Sequence, residues 1–201
     1  MMFGDPSKLF YAKQLAAALG YIGLCRSDRI KIEPIGSKQA LAAPTLRGRS
    51  SLHRMINYVE SIQSEETASL EQGIKSFTLR NKGKGILVLI TDLMEKSGYE
   101  TALKYLISQN MDVYVIHVLS QAEIDPDITG DLKLVDSEDG DIAEVSMSQR
   151  LIDRYKSTLA QFISGARDFC SQRNIMYMMT STDRPVDRLV SRYLRQRGLV
   201  R

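Results

Sequence analysis

Asp92 is the residue whose type and place in the chain first suggest chemistry. It closes the apolar run in KGKGILVLITDLMEKSG, residues 82–98, where Ile90 gives way at once to Thr91 and Asp92. A continuous apolar run of strand length, bounded by glycine-containing turns, is what a parallel strand covered on both faces looks like. Its last residues lie at the carboxyl edge of the sheet, where open α/β folds bind ligands. A carboxylate there has three uses: a cap for the next turn or helix, a phosphoacceptor, or a ligand for a hard cation. A phosphoacceptor site needs an acidic pair after the first strand and a lysine after a late one, and neither is visible. A hard cation needs further oxygens from neighbouring loops, and the hydroxyl of Thr67, in the polar link before a helix, is of the right kind.

Other candidates are weaker. Asp125, Asp127, Thr129, Gly130, Asp131 and Asp136 fall near the spacing of a calcium loop, but the last ligand is aspartate rather than glutamate and the flanks read as strands, which favours a solvated hairpin. Arg184, Arg188, Arg192, Arg195, Arg197 and Arg201 make the last helix basic, a solvated face by default and a nucleic-acid or acidic-protein surface otherwise. His53 and His117 have no ligand-spaced partners, and His117, inside a buried strand, reads as a satisfied core residue. Glycine-rich phosphate loops and the serine nucleophile elbow are absent, and the lysine beside glycines in GKGILVLITD precedes a strand instead of opening a helix. An α/β hydrolase or phosphatase with Asp92 as nucleophile would lack a nameable general base.

The elements that must position Asp92 follow from periodicity. The 201 residues suit one domain spanning 1–201, and 27 basic against 24 acidic side chains are too balanced to argue for nucleic acid by themselves. Cys25 and Cys170 read as reduced core thiols, and no run approaches the roughly 18 apolar residues of a membrane span. A cytoplasmic protein without a membrane segment is expected. SKLFYAKQLAAALGYIGL predicts a largely buried helix through Leu9, Ala12, Leu15, Ala16, Leu19 and Ile22. DRIKIEPIG and QALAAPTL predict a hairpin; GRSSLHRMINYVESIQ and ASLEQGIKSFTLR predict helices. ILVLITD, YETALKYLISQ and DVYVIHVLS then give strand, helix, strand, the βαβ unit of a parallel sheet. An acidic hairpin follows around DSEDGD, then a long helix with Leu151, Tyr155, Leu159, Phe162, Ala166 and Phe169 on one stripe, the strand NIMYMMTS and the arginine helix. The expected fold is a doubly wound, mostly parallel Rossmann-like α/β sheet with an inserted acidic β-hairpin.

FGDPSKLFYAKQLAAALGYIGL, DRIKIEPIG, LRGRSSLHRMINYVESI, ILVLITDLME and HVLSQAEIDPDITGDLKLVDSEDGDI together resemble the von Willebrand factor A-like bacterial proteins of domain-of-unknown-function family fifty-eight. The resemblance implies a Rossmann-like sheet carrying a metal-ion-dependent adhesion site, with magnesium held by a D-x-S-x-S motif after the first strand, a threonine before a helix and an aspartate after the fourth strand. The threonine falls on Thr67 and the aspartate on Asp92. In the family, D-x-S-x-S directly precedes a segment like MMFGDPSKLFYA, with which this chain opens. The expectation is therefore a first strand and motif missing from the sequence, magnesium weak or absent, and unpaired strand edges that favour self-association. The family's genes are often found beside a MoxR-type AAA ATPase. The implied function is a non-enzymatic protein-interaction module, with such an ATPase as candidate partner; the alternative is a nucleic-acid-binding α/β protein using the C-terminal arginines.

Overall fold

In the computed structural model, residues 1, 4–36, 38–63, 69–126, 130–135, 142–147 and 149–194 are described. Helix α1 (Lys8–Cys25) starts where the sequence predicts, with the Ser7 side chain accepting from the Phe10 amide. Its buried face differs from the expected one. Leu15 is buried, but its companions are Lys8, Tyr11, Gly20, Gly23 and Leu24, so the inward stripe opens on a lysine. Strands β1 (Arg29–Lys31) and β2 (Thr45–Arg47) pair antiparallel, with Ile30 opposite Leu46. Much of the expected second strand is a 3-10 turn, Lys38–Ala42, and pairing begins only after Pro44, whose ring leaves no N–H for a ladder. Helix α2 (Leu52–Ser61) buries Met55 and Val59 against Leu24 and Leu46, which seats the hairpin on α1.

Helix α3 (Leu70–Arg80) leads into β3 (Gly85–Thr91), α4 (Glu100–Ile107) and β4 (Met111–Leu119), and β3 pairs parallel with β4 in the predicted βαβ order. A short helix α5 (Gln121–Ile124) precedes the antiparallel pair β5 (Gly130–Val135) and β6 (Ile142–Met147) of the predicted hairpin. Then come α6 (Gln149–Ser171), β7 (Met176–Ser181) and α7 (Val186–Arg188), which runs on as a π-helical turn, Leu189–Leu194. β7 adds parallel to β4, so the sheet order is β3-β4-β7.

Alternation along these strands feeds two cores. Leu87, Leu89, Val113, Val115 and Tyr177 pack with α3, α4 and α6, while Val88, Ile90, Ile116, Val118 and Met178 pack with Tyr11, Leu15 and Leu19 of α1 and Leu189 of the C-terminal turn. Burial on both faces is why the runs are continuously apolar. The double winding is only half realised. Both crossover helices, α4 and α6, lie on one face, and among the described residues no strand pairs with the outer edge of β3 to reverse the order. The stripe of α6 is also shifted: Ile152, Leu159, Ala166 and Cys170 are buried, whereas Tyr155 is partly exposed. No described helix is long and apolar enough to cross a membrane.

Gly73 marks a close approach within this packing. A Cβ there would lie 2.3 Å from Ile35 Cγ2 and 2.9 Å from the backbone nitrogen of Gly36, which cannot swing aside. In an open helix Gly→Ala gains about 1 kcal/mol. Here overpacking, at about 1–3 kcal/mol, outweighs it. Gly73→Ala is therefore expected to lower the urea midpoint at unchanged slope; a higher midpoint would contradict the packing of α3 on the Ile35–Gly36 turn.

Candidate functional site

Among the described residues, the buried polar side chains gather at one place. Apart from Thr78, they are Lys8, Thr91, His117, Ser120, Thr180, Ser181 and Thr182, at or near the carboxyl ends of β3, β4 and β7 or in the first turn of α1. Three charged groups lie at the centre. The Lys8 ammonium is 2.9 Å from Asp92 Oδ2 and 2.6 Å from Glu123 Oε1, and Lys8 is only 3% exposed. The amino group of Met1 lies 3.5 Å from the same Asp92 oxygen.

Each member is held by its own element. Lys8 occupies the first turn of α1, where the helix dipole disfavours a cation, so the two carboxylates must offset both that field and desolvation. Asp92 follows β3 directly. Thr91 Oγ1 accepts from the Leu93 amide at 3.1 Å, and Leu93 takes a left-handed φ of 54°, rare for a bulky residue. Such a conformation costs of order 1–3 kcal/mol and persists because Leu93 is buried in the core between β3 and α4. The capping of this turn that hydrogen bonds show is by Thr91, and Asp92 faces the Lys8 ammonium.

Glu123 belongs to a capping box. Its Oε2 accepts from the Ser120 amide at 2.7 Å and from the Ser120 hydroxyl at 3.0 Å, while its own amide donates to Ser120 Oγ at 3.2 Å. Gly4, with φ of 100°, packs so closely that a Cβ would come within 2.7 Å of Ser120 Cβ. Sequence reasoning did not single out Lys8 or Glu123. Two signals could have found them: Ser120-x-x-Glu123 is a capping-box pattern, and Lys8 shares a helical face with Tyr11 and Leu15.

Electrostatically the cluster is self-satisfied. Burial pulls the Lys8 ammonium downward, but attraction to Asp92 and hydrogen bonds to Glu123 and Asp92 outweigh it and leave its pKa raised. Burial likewise pushes Asp92 upward, and Lys8 overcomes it, so the carboxyl sits below its usual range. His117, fully buried, pairs through Nδ1 with the Tyr177 hydroxyl at 2.6 Å and meets the Phe162 ring edge-on, while its Nε2 has no hydrogen-bond partner. Desolvation, only partly countered by Asp92, depresses its pKa to about 4, so it is neutral near pH 7.

Several other sequence-derived candidates cannot be placed: Thr67 lies outside the described residues, as do Asp127, Thr129, Asp136, Arg195, Arg197 and Arg201. Asp125 pairs with Lys156. Cys25 and Cys170 are free thiols, and burial raises Cys170 to about 11, which keeps it protonated and inert. No group of three or more histidine, cysteine or acidic residues able to hold a metal occurs among the described residues. Of the candidate magnesium ligands only Asp92 is described, and its carboxylate is occupied by the Lys8 ammonium. Asp92 already faces an ammonium, and a dication within about 4 Å of it would be repelled by roughly 8 kcal/mol at an effective dielectric of about 20.

Two outcomes follow for the cluster. Lys8→Met should cost about 3–5 kcal/mol by leaving carboxylates uncompensated. Lys8→Met combined with Asp92→Asn should cost less than the sum of the single changes by at least about 1 kcal/mol in urea titrations; strict additivity would mean the pair is not coupled. The second concerns pH. The unfolded chain binds a proton at His117 below about 6.5 and the folded chain only below about 4, so stability falls as pH drops through that window, by about 3 kcal/mol when complete. His117→Gln should flatten this slope, whereas equal slopes for the two proteins would show that His117 is not held neutral.

Comparison with known proteins gives the chain its relations. A solved structure described as conserved hypothetical protein BatB from Bacteroides thetaiotaomicron is similar over 97% of this chain and 90% of its own, at 15% identity and a TM-score of 0.50. An aerotolerance-related membrane protein from Bacteroides fragilis NCTC 9343, solved with multiple mutations to serines, matches over 88% of this chain and 82% of its own, at 19% identity and a TM-score of 0.48. At these identities the first likeness speaks for an α/β fold and the second carries no argument. No curated protein matches the chain. The family model described as protein of unknown function DUF58 matches residues 3–162, most of the sequence, and the chain belongs to that family.

Proposed function

We propose that the protein is a non-enzymatic interaction module of the von Willebrand factor A-like type, which engages a protein partner through the carboxyl edge of its parallel sheet. One observation carries the reading: the charge cluster at this edge is satisfied within the chain, while large apolar side chains close in sequence to its members stay exposed. Phe10, two residues after Lys8, is 53% exposed; Met94, two residues after Asp92, is 42% exposed; Tyr155, whose hydroxyl donates to the Glu123 carbonyl at 2.8 Å, is 37% exposed. Aromatic and methionine side chains are enriched where proteins meet, and a few of them usually dominate the affinity.

The chemistry of the cluster supports binding over turnover. An Asp92 carboxylate held by an ammonium is a poor base and a poor nucleophile, and a buried histidine displaced to about 4 is no general base at neutral pH. The family resemblance makes a MoxR-type AAA ATPase the partner class to test first, and the two free thiols suit a cytoplasmic location.

Calorimetric titration against a purified MoxR-type ATPase tests the reading. Binding is expected, and Phe10→Ser and Met94→Ser should each weaken it about tenfold or more while leaving the urea midpoint nearly unchanged. Full-strength binding by both variants would remove this edge from the interface. A shift of affinity toward single-stranded DNA, falling steeply with salt and on Arg188→Gln, would favour the nucleic-acid reading instead.

A further inference from the structure

We infer that the Lys8 ammonium is the resident cation of this edge, standing against Asp92 where a divalent ion would otherwise be held, with Glu123 as the second carboxylate. The inference rests on the site and not on any partner, so it can fail while the proposed interaction survives. Three observations converge on it. The ammonium touches one oxygen from each of two carboxylates, at 2.9 and 2.6 Å, so a single cation already bridges the two groups, and a smaller divalent ion would draw them closer. Glu123 is fixed independently of Lys8 by Ser120, and Asp92 by the turn in which Thr91 Oγ1 accepts from the Leu93 amide, so both are preorganised acceptors. Lys8 itself is buried and delivered by the first turn of a helix whose body is packed into the core through Tyr11 and Leu15. It cannot swing away into water without undocking that turn.

The arrangement has a specific consequence. A lysine is a point charge of one unit that carries its own position in the sequence, so the two carboxylates keep a cation between them at any metal concentration. A divalent ion competes only by displacing Lys8. Since Lys8 is nearly inaccessible, a partner's carboxylate would not reach the cation directly, and recognition falls to the exposed apolar rim. Partner binding should then be indifferent to chelators.

Manganese, whose free form is read by electron paramagnetic resonance, is the probe. The wild-type protein is expected to show no saturable binding at millimolar manganese, whereas Lys8→Met, which keeps the length of the side chain and removes its charge, should take up one ion per chain. Adding Asp92→Asn to Lys8→Met should weaken that uptake at least tenfold. If Lys8→Met is unfolded without metal, regain of its circular dichroism on adding manganese counts as the same gain, and Lys8→Gln, which retains a donor for the carboxylates, is titrated alongside. Saturable binding by the wild type that disappears in Asp92→Asn would overturn the inference. So would the absence of any manganese uptake or manganese-dependent refolding in both Lys8 variants.

Discussion

A lysine ammonium buried between two carboxylates joins three segments that are far apart in the sequence. Lys8 belongs to the first turn of α1, Asp92 to the turn after β3, and Glu123 to the capping box that follows β4. Leaving any one of the three charges uncompensated in that environment costs several kcal/mol, a large share of the stability of an ordinary domain. The contact therefore fixes more than itself. It sets where α1 begins, and from there Tyr11 and Leu15 are carried onto the sheet face formed by Ile116 and Val118. Among the described residues no crossover helix covers that face; α1 and the C-terminal turn pack on it instead.

The same constraint explains the local irregularities of the edge. Thr91 and the left-handed Leu93 turn the chain sharply after β3, so that Asp92 meets Lys8 while Leu93 returns to the core. Gly4 allows the N-terminal loop to lie against Ser120. His117 stays neutral because it is buried among Phe162 and Tyr177, directly opposite Thr91 in the strand register. An edge arranged in this way is rigid and electrically quiet at its centre. On the proposed reading, what it offers to a partner is the exposed apolar side chains of Phe10, Met94 and Tyr155.

Much of this was legible in the sequence. The apolar runs at β3 and β4 announced a parallel βαβ unit buried on both faces, and Asp92 stood out because it ended one of them. The acidic hairpin, the hairpin near the N-terminus and the long helix α6 were each expected from alternation or helical spacing. Other features escaped for physical reasons. Lys8 was invisible to a hydrophobic pattern, since a buried cation is intelligible only once two distant carboxylates are known to meet it. Glu123 lay in a stretch whose acidity suggested solvent, although Ser120 three residues earlier carried the cap signal. The strand order was not legible, because it depends on neighbours, and periodicity along one strand says nothing of which strand pairs with its outer edge. Thr67 was singled out by family resemblance and lies outside the described residues.

The most direct measurement of the central contact is nitrogen-15 NMR of the lysine side chains at neutral pH. A Lys8 ammonium clasped by Asp92 and Glu123 should exchange its protons slowly enough to give a resolved NH3+ signal, distinct from those of solvent-exposed lysines and unmoved by millimolar magnesium. A Lys8 signal that exchanges as fast as the exposed lysines, or that shifts when magnesium is added, would contradict the account.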